Sequence, residues 1–275
     1  MADTLRARIL GCGSSGGVPR LGGPDEAGNW GACDPKNPKN RRRRCSLLVR
    51  RVSAGCETRV LVDTSPDLRE QLLDARIGFL DGVLLTHDHA DQTHGMDDLR
   101  AIALNAKKRT DVWADKPTWD SVMTKFGYCF VQPKDSDYPP ILNAHEIHEP
   151  FRPFSISGPG GELEAVAFAQ GHGRVRSLGF RFGALAYSSD VDNLDEQAFT
   201  VLEGVECWIV DALRHTPHPS HAHLEKTLWW IERVRPRRAI LTNMHLDMDY
   251  EALKRELPAG VEPAFDGMSL DLLTL

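Results

Sequence analysis

Residues 82–86 (Gly-Val-Leu-Leu-Thr) form an apolar run that passes without a break into His87-Asp88-His89-Ala90-Asp91-Gln92-Thr93-His94. No other stretch constrains the fold as strongly, because the run must lie in a buried strand while its end opens on a polar site. Strand ends hold side chains rigidly enough to serve as metal ligands. Imidazole suits borderline divalent ions and carboxylate adds harder oxygen, so this mixture favours zinc, manganese or iron over calcium. The plainer reading, a polar helix start capped by Asp91, leaves three histidines and two aspartates within eight residues unexplained.

Short runs rich in Val, Ile and Leu recur at 6–10, 46–51, 59–63, 82–86, 163–169, 178–182, 185–188, 207–210 and 239–242 and predict strands. Helical spacing of apolar residues predicts helices over 66–75, 96–106, 118–126, 194–202, 223–234 and 250–257. The alternation is that of an α/β protein. The runs at 178–182 and 185–188 meet around Gly183 with no room for a helix, which predicts a hairpin and hence mixed sheets. Residues 11–38 and 130–159 are rich in Gly and Pro and read as long loops. At 275 residues, one compact domain over 1–275 is expected.

Hydrophobic residues make up 41% and charged residues 26%, and the net charge of −6 offers no basic field, so a nucleic-acid partner is unsupported. The one dense positive cluster is Arg41-Arg42-Arg43-Arg44; a solvated loop or strand edge is preferred for it over a phosphate-binding patch. No stretch reaches bilayer-spanning length and no hydrophobic leader follows Met1-Ala2-Asp3-Thr4, so no membrane association and a cytoplasmic location are expected. The six cysteines (Cys12, Cys33, Cys45, Cys56, Cys129 and Cys207) form no CxxC pair, and reduced thiols are expected.

The spacing of His87, His89 and Asp91 resembles the HxHxDH motif of the metallo-β-lactamase superfamily. Further matches follow in order: His172 in Gln170-Gly171-His172-Gly173, Asp190 in Tyr187-Ser188-Ser189-Asp190, the opening Gly11 to Pro19, and Leu61 to Asp67. The resemblance implies a four-layer αββα sandwich of two mixed sheets, with one or two metals at the edge between them. The glycine-rich opening, Cys45-Ser46-Leu47-Leu48-Val49 and Pro236 to Thr242 look most like the cyclic-phosphodiesterase branch, which includes phosphoribosyl cyclic phosphate phosphodiesterase and is related to tRNase Z.

By that resemblance His87, His89, His172 and Asp190 hold a first metal, while Asp91 and Asp190 belong to a second. Two departures fall on the second site, where Gln92 and Asn243 stand in place of histidines and offer amide oxygens as ligands instead of imidazoles. An altered two-metal site is preferred, with His94 and His245 as substitute ligands or with a harder ion such as manganese; one metal comes next, and loss of activity last. Cys33 lacks the companions of a structural zinc cluster, and none is expected. The resemblance places His221, just before a helix, at the scissile phosphate, as proton donor or phosphate partner. His223 is kept beside it as a substrate-facing candidate, although for His215, His218 and His223 a surface or capping role is preferred, and His145 and His148 lie outside every motif. Gly13, Ser14, Ser15, Gly16 and Gly17 are read as a backbone cradle for phosphate. Asp63 and Asp67 are expected to orient ligands, cap a helix or hold a loop, and Trp229 and Trp230 to cover core and an interface rather than stack bases.

The implied activity is that of a metal-dependent hydrolase using zinc or manganese, with iron admissible. It would be a phosphodiesterase in which metal hydroxide, oriented by Asp91, attacks a small cyclic or nucleotide-like phosphodiester. A thioester or acyl-ester hydrolase, and a phosphate- or nucleotide-binding protein with a degenerate metal site, are the alternatives. A homodimer is the base-rate expectation.

Overall fold

The computed structural model describes residues 3–272, so Met1 and Ala2 of the opening considered for a leader lie outside it. Among the described residues, fourteen strands form two seven-stranded sheets. The first comprises β1 (Thr4–Gly11), β2 (Ser46–Ser53), β3 (Cys56–Val62), β4 (Gly82–Leu84), β5 (Thr110–Ala114), β6 (Leu142–Glu146) and β14 (Ser269–Leu272), in the order β14-β1-β2-β3-β4-β5-β6. The second comprises β7 (Pro153–Gly158), β8 (Gly161–His172), β9 (Val175–Phe182), β10 (Leu185–Ser188), β11 (Cys207–Asp211), β12 (Arg238–Thr242) and β13 (Val261–Pro263), in the order β13-β12-β11-β10-β9-β8-β7. Each sheet is antiparallel in one half and parallel in the other, changing at β3 in the first and at β10 in the second.

Strand alternation explains the layering. Leu47, Val49, Val60, Val62 and Leu84 point into the core between the sheets, against Phe180, Phe182, Leu185 and Ile209. Their neighbours Leu48, Leu61, Val83 and Leu85 point to the other face, where α1 (Leu68–Ala75) and α3 (Leu99–Ala106) pack through Leu68, Leu72, Leu99 and Ile102. With both faces buried, the central strands read as continuous apolar runs. On the second sheet α5 (Glu196–Leu202) and α6 (Leu224–Val234) bury Phe199, Leu202, Leu224 and Trp230. The layers are thus helix, sheet, sheet, helix, as an αββα sandwich requires. Asp115 starts α4 (Lys116–Phe126), Asp195 starts α5 and Asp249 starts α7 (Tyr250–Glu256), each carboxylate accepting an amide of the first turn. Among the described residues no helix is long and apolar enough to cross a membrane.

Two expectations need correction. Residues 130–159 are not one long loop, because β6 and β7 lie within them. Nor is the Arg41–Arg44 run a solvated segment throughout. Arg42 is 2% exposed, and its guanidinium donates to the carbonyls of Met248 (2.5 Å) and His245 (3.3 Å) and to Asn40 Oδ1 (3.3 Å). It ties the early loop to the segment after β12, beside Cys33, whose Sγ lies 3.3 Å from the Leu246 carbonyl. Of the tryptophan pair, Trp230 is buried in the core and Trp229 is exposed.

Candidate metal centre

The parallel halves of the two sheets bring the carboxyl ends of β3, β4, β10, β11 and β12 to one edge, the position where α/β sheets bind ligands. Three residues just beyond these ends have left-handed backbone: Asp63 (φ 63°), Asp190 (φ 51°) and Asn243 (φ 59°). Asp and Asn tolerate this conformation best among residues with a Cβ, and it turns the chain sharply where the strand stops. The short helix α2 (Ala90–Thr93) is pinned to the loop after β3 by Thr64 N to Gln92 O (2.7 Å) and Gly95 N to Thr64 O (2.9 Å). A methyl group on Gly95 would lie 2.0 Å from the Ser65 carbonyl, so only glycine allows that approach.

His87, His89 and His172 converge, with ligand atoms within 4.8 Å of one another, and His172, Asp190 and His221 form a second such group sharing His172. His172 Nδ1 donates to the Ser220 carbonyl (2.6 Å), which leaves Nε2 as a lone pair 3.3 Å from His89 Nδ1. Thr86 donates its hydroxyl to the Asp63 carboxylate (2.9 and 3.0 Å) and accepts from His87 Nδ1 (3.0 Å). His87 Nε2 is therefore also a lone pair, and it is buried without a partner. Burial, with the neighbouring His89 and His172 charges behind it, holds the His87 ring neutral.

Around these rings lie carboxylates that no Lys or Arg answers. Asp63 and Asp211 are fully buried and Asp190 nearly so. Among the described residues no Lys or Arg pairs with them or with Asp91; the one ion-pair partner of Asp190 and Asp211 is His221, at 3.9 and 2.9 Å. Burial pushes the Asp91 and Asp190 carboxyls up, with the Asp190 charge adding to the shift of Asp91 and the Asp211 charge to that of Asp190. Buried carboxylates without counter-charge are costly. Three convergent imidazoles beside them, two with their lone pairs turned inward, fit a divalent ion. The first site passes this test.

The second position offers amides instead. Gln92 turns its amide nitrogen to Asp190 Oδ2 (3.1 Å) and Asp91 Oδ2 (3.2 Å), and Asn243 turns its amide nitrogen to Asp211 Oδ2 (3.2 Å). Donors stand where a metal requires lone pairs. His94 is exposed and packs edge-on to Phe126, and His245 pairs with Asp247 (2.9 Å), so neither joins the cluster. Burial and the Arg20 charge push the His245 ring down.

His221 sits beside His172, ring centroids 4.7 Å apart, with Nδ1 donating to Asp211 Oδ2 (2.9 Å). Burial opposes its charge, but Asp211 outweighs that by charge and hydrogen bond and raises the pKa to about 9. Asp211 is the residue that the sequence reading missed; a lone aspartate closing an apolar strand, as in Cys207-Trp208-Ile209-Val210-Asp211, was its signal. His218 lies next to His221, and His223 occupies the position before α6 without a capping bond from its side chain, its ring 3.9 Å from Glu225. His145, His148 and His215 pair with Asp111, Glu146 and Glu256 away from the cluster. Asp67 spends its carboxylate on Arg44 N (2.9 Å) and Nε (3.0 Å) rather than on capping α1.

The glycine-rich loop is narrower as a cradle than expected. The amides of Gly13, Ser14 and Gly17 already donate to the carbonyls of Arg43, Met244 and Ser14, which leaves those of Ser15 and Gly16 without an acceptor among the described residues.

A model of the beta-lactamase superfamily domain matches residues 58–244. The chain belongs to the metallo-β-lactamase superfamily. Its members are hydrolases, and the αββα layers and strand-end histidines are those of that fold. The crystal structure of a diphosphatase from the PhnP family is similar at a TM-score of 0.85 and 29% identity, over 98% of this chain and 97% of that one. Zinc-bound PqqB from Methylobacterium extorquens shares the superfamily fold at a TM-score of 0.73 and 18% identity, over 97% and 100%. An octanoyltransferase of Porphyromonas gingivalis (strain ATCC BAA-308 / W83) is 31% identical over 269 residues, 96% of this chain and 51% of the relative. The chain thus spans about half the length of that relative.

Proposed function

We propose that this superfamily member is a metal-dependent phosphodiesterase that cleaves a small cyclic or nucleotide-like phosphodiester. One observation carries the reading: the convergent imidazoles of His87, His89 and His172 stand beside a fourth histidine, His221, whose Nδ1 is held by the buried Asp211. The likeness to a PhnP-family diphosphatase supports phosphoryl chemistry. His87, His89, His172 and Asp190 would hold one divalent ion, zinc or manganese, while Gln92 and Asn243 keep a second out. A divalent ion at such a site supplies Lewis acidity toward a phosphoryl oxygen and activates water near neutral pH.

The protein groups do the rest. With Nδ1–H engaged by Asp211, His221 presents Nε2 to substrate, and Asp211 stabilises the imidazolium. His221 then gives the Nε2 proton to the departing oxygen. Asp91 reaches the cleft from the start of α2, steadied by Gln92, and accepts a proton from the attacking water. His89, exposed on one side, leaves the site open to solvent and substrate.

A second reading, acyl-ester or thioester hydrolysis, is favoured only by the name of the octanoyltransferase relative. Protein reconstituted separately with Zn²⁺ and Mn²⁺ separates the two when offered a 2′,3′-cyclic nucleotide, a chromogenic phosphodiester and an acyl thioester. Cleavage of the phosphodiesters above metal-only blanks, abolished in His89→Ala, is expected. Thioester turnover alone supports the second reading, and metal uptake without any turnover supports a binding protein.

A further inference from the structure

Among the described residues, His218 is the histidine beside the cleft that no carboxylate holds. His145, His148, His215, His221, His223 and His245 each have a carboxylate oxygen within 3.9 Å, and His87, His89 and His172 form the ligand trio. His218 is held by Ser220 instead. The Ser220 amide donates to His218 Nδ1 (3.3 Å), with the Ser220 hydroxyl at the same distance, while the Ser220 carbonyl accepts from His172 Nδ1 (2.6 Å). A methyl group on Gly173 (φ 63°) would lie 2.8 Å from Ser220 Cβ, so the turn between β8 and β9 presses on Ser220 and fixes it from the other side.

A ring nitrogen that accepts an amide hydrogen is the lone-pair nitrogen, and in the neutral ring the other nitrogen carries the proton. His218 therefore presents Nε2–H, which forms no hydrogen bond among the described residues. Burial and the charges of His221, Arg214, His172 and His245 push its pKa down, so the ring is neutral where that of His221 is charged. The rings of His172, His221 and His218 form a row leading out of the metal centre, with successive centroids 4.7 and 5.1 Å apart, and His218 is half-buried at its outer end. A neutral imidazole would become an anion on losing the Nε2 proton, so near neutral pH it serves as a hydrogen-bond donor and not as an acid. The acceptors that a phosphodiester brings to this row are its phosphoryl oxygens, which carry its negative charge, and donors fixed in advance stabilise such charge without reorganising. We infer that His218 is a further substrate-contacting residue, within the phosphodiesterase reading on which this rests, donating Nε2–H to a non-bridging phosphoryl oxygen while His221 protonates the departing one.

His218→Asn tests this, because its side-chain oxygen stands near the Nδ1 position and still accepts the Ser220 amide, whereas nothing remains at the Nε2 position. In metal-loaded protein, kcat/KM for a 4-nitrophenyl phosphodiester and for adenosine 2′,3′-cyclic phosphate should fall together, by roughly 10- to 100-fold each, since a hydrogen bond to a charged oxygen is lost on both. Metal affinity in chelator competition should stay at the wild-type value. Unchanged turnover overturns the assignment. So does a loss confined to the cyclic nucleotide, which would place His218 with the proton donor, and so does a fall in metal affinity of the same size, which would reduce His218 to a support for Ser220 and His172. If wild type cleaves neither substrate, the phosphodiesterase reading fails, and equilibrium binding of inorganic phosphate to the metal-loaded protein decides. Weaker binding by His218→Asn supports the contact, and equal binding overturns it.

Discussion

Gln92 donates its side-chain amide to Asp190, Nε2 to Oδ2 at 3.1 Å, and the same nitrogen reaches Asp91. An amide hydrogen thus occupies the space between two carboxylates that a second cation would need. It neutralises part of their mutual repulsion without being a ligand.

The first prediction is one divalent ion per chain after dialysis, measured by elemental analysis. Gln92→His together with Asn243→His, which supplies imidazoles at both substituted positions, should raise the content to two. Two ions in the wild type would show that both amides turn their oxygens inward on metal binding.

Thr86 connects Asp63 to His87, and Asp63 also accepts the Thr86 amide at 2.8 Å. Thr86→Val removes the hydroxyl that fixes the His87 ring while keeping its shape. Partners of ligating histidines set metal affinity by about 10- to 100-fold, and a loss of that size is expected in chelator competition, with Thr86→Ser close to wild type. Unchanged affinity in Thr86→Val would mean that packing alone orients the ring.

Much of this was legible in the sequence. All nine predicted strands and all six predicted helices correspond to elements, because each has two buried faces or one clear apolar face. The strands that the sequence hid are β5, β6, β7, β13 and β14, and four of these are sheet edges. An edge such as Leu-Asn-Ala-His-Glu in β6 packs on few neighbours, so it carries little apolar periodicity. The convergence of His87 and His89 was visible because their spacing is local, and His172 was reached through the family resemblance. Asp211 was not, since its role depends on His221 ten residues away and Asn243 just past the end of β12. The buried Arg42 was concealed by three other arginines in the same run, which differ from it only in what the fold places around them.

Arg42 supplies a stability prediction. Its loss strands the Met248 and His245 carbonyls, and buried groups left unpaired cost about 1–3 kcal/mol each. Arg42→Ala should therefore destabilise the protein by about 2–5 kcal/mol in urea unfolding, whereas Arg41→Ala, at an exposed position, should change it by less than about 0.5 kcal/mol. Equal effects would remove the tie between the early loop and the segment after β12.

Asp266 supplies the pH dependence. Burial raises its pKa from 3.8 to about 6, against the pull of the Arg43 amide and guanidinium. The folded state therefore holds this proton more tightly than the unfolded chain. The contribution is fully present below about pH 4 and is lost as pH rises to about 6, a change of about 3 kcal/mol. The stability of wild type relative to Asp266→Asn should fall by that order across the window and then level off. A difference that rises with pH would show that Arg43 dominates over burial.

Leaving-group dependence in the metal-loaded protein tests the proposed chemistry most directly. A 4-nitrophenyl phosphodiester needs no proton on its leaving oxygen, whereas a 2′,3′-cyclic nucleotide does. At equal metal content, His221→Ala should lower kcat/KM for the cyclic nucleotide by about 10²- to 10⁴-fold and for the 4-nitrophenyl ester by far less. Equal losses on both substrates, or no cleavage of either by the wild type, would contradict a phosphodiesterase in which His221 delivers the proton.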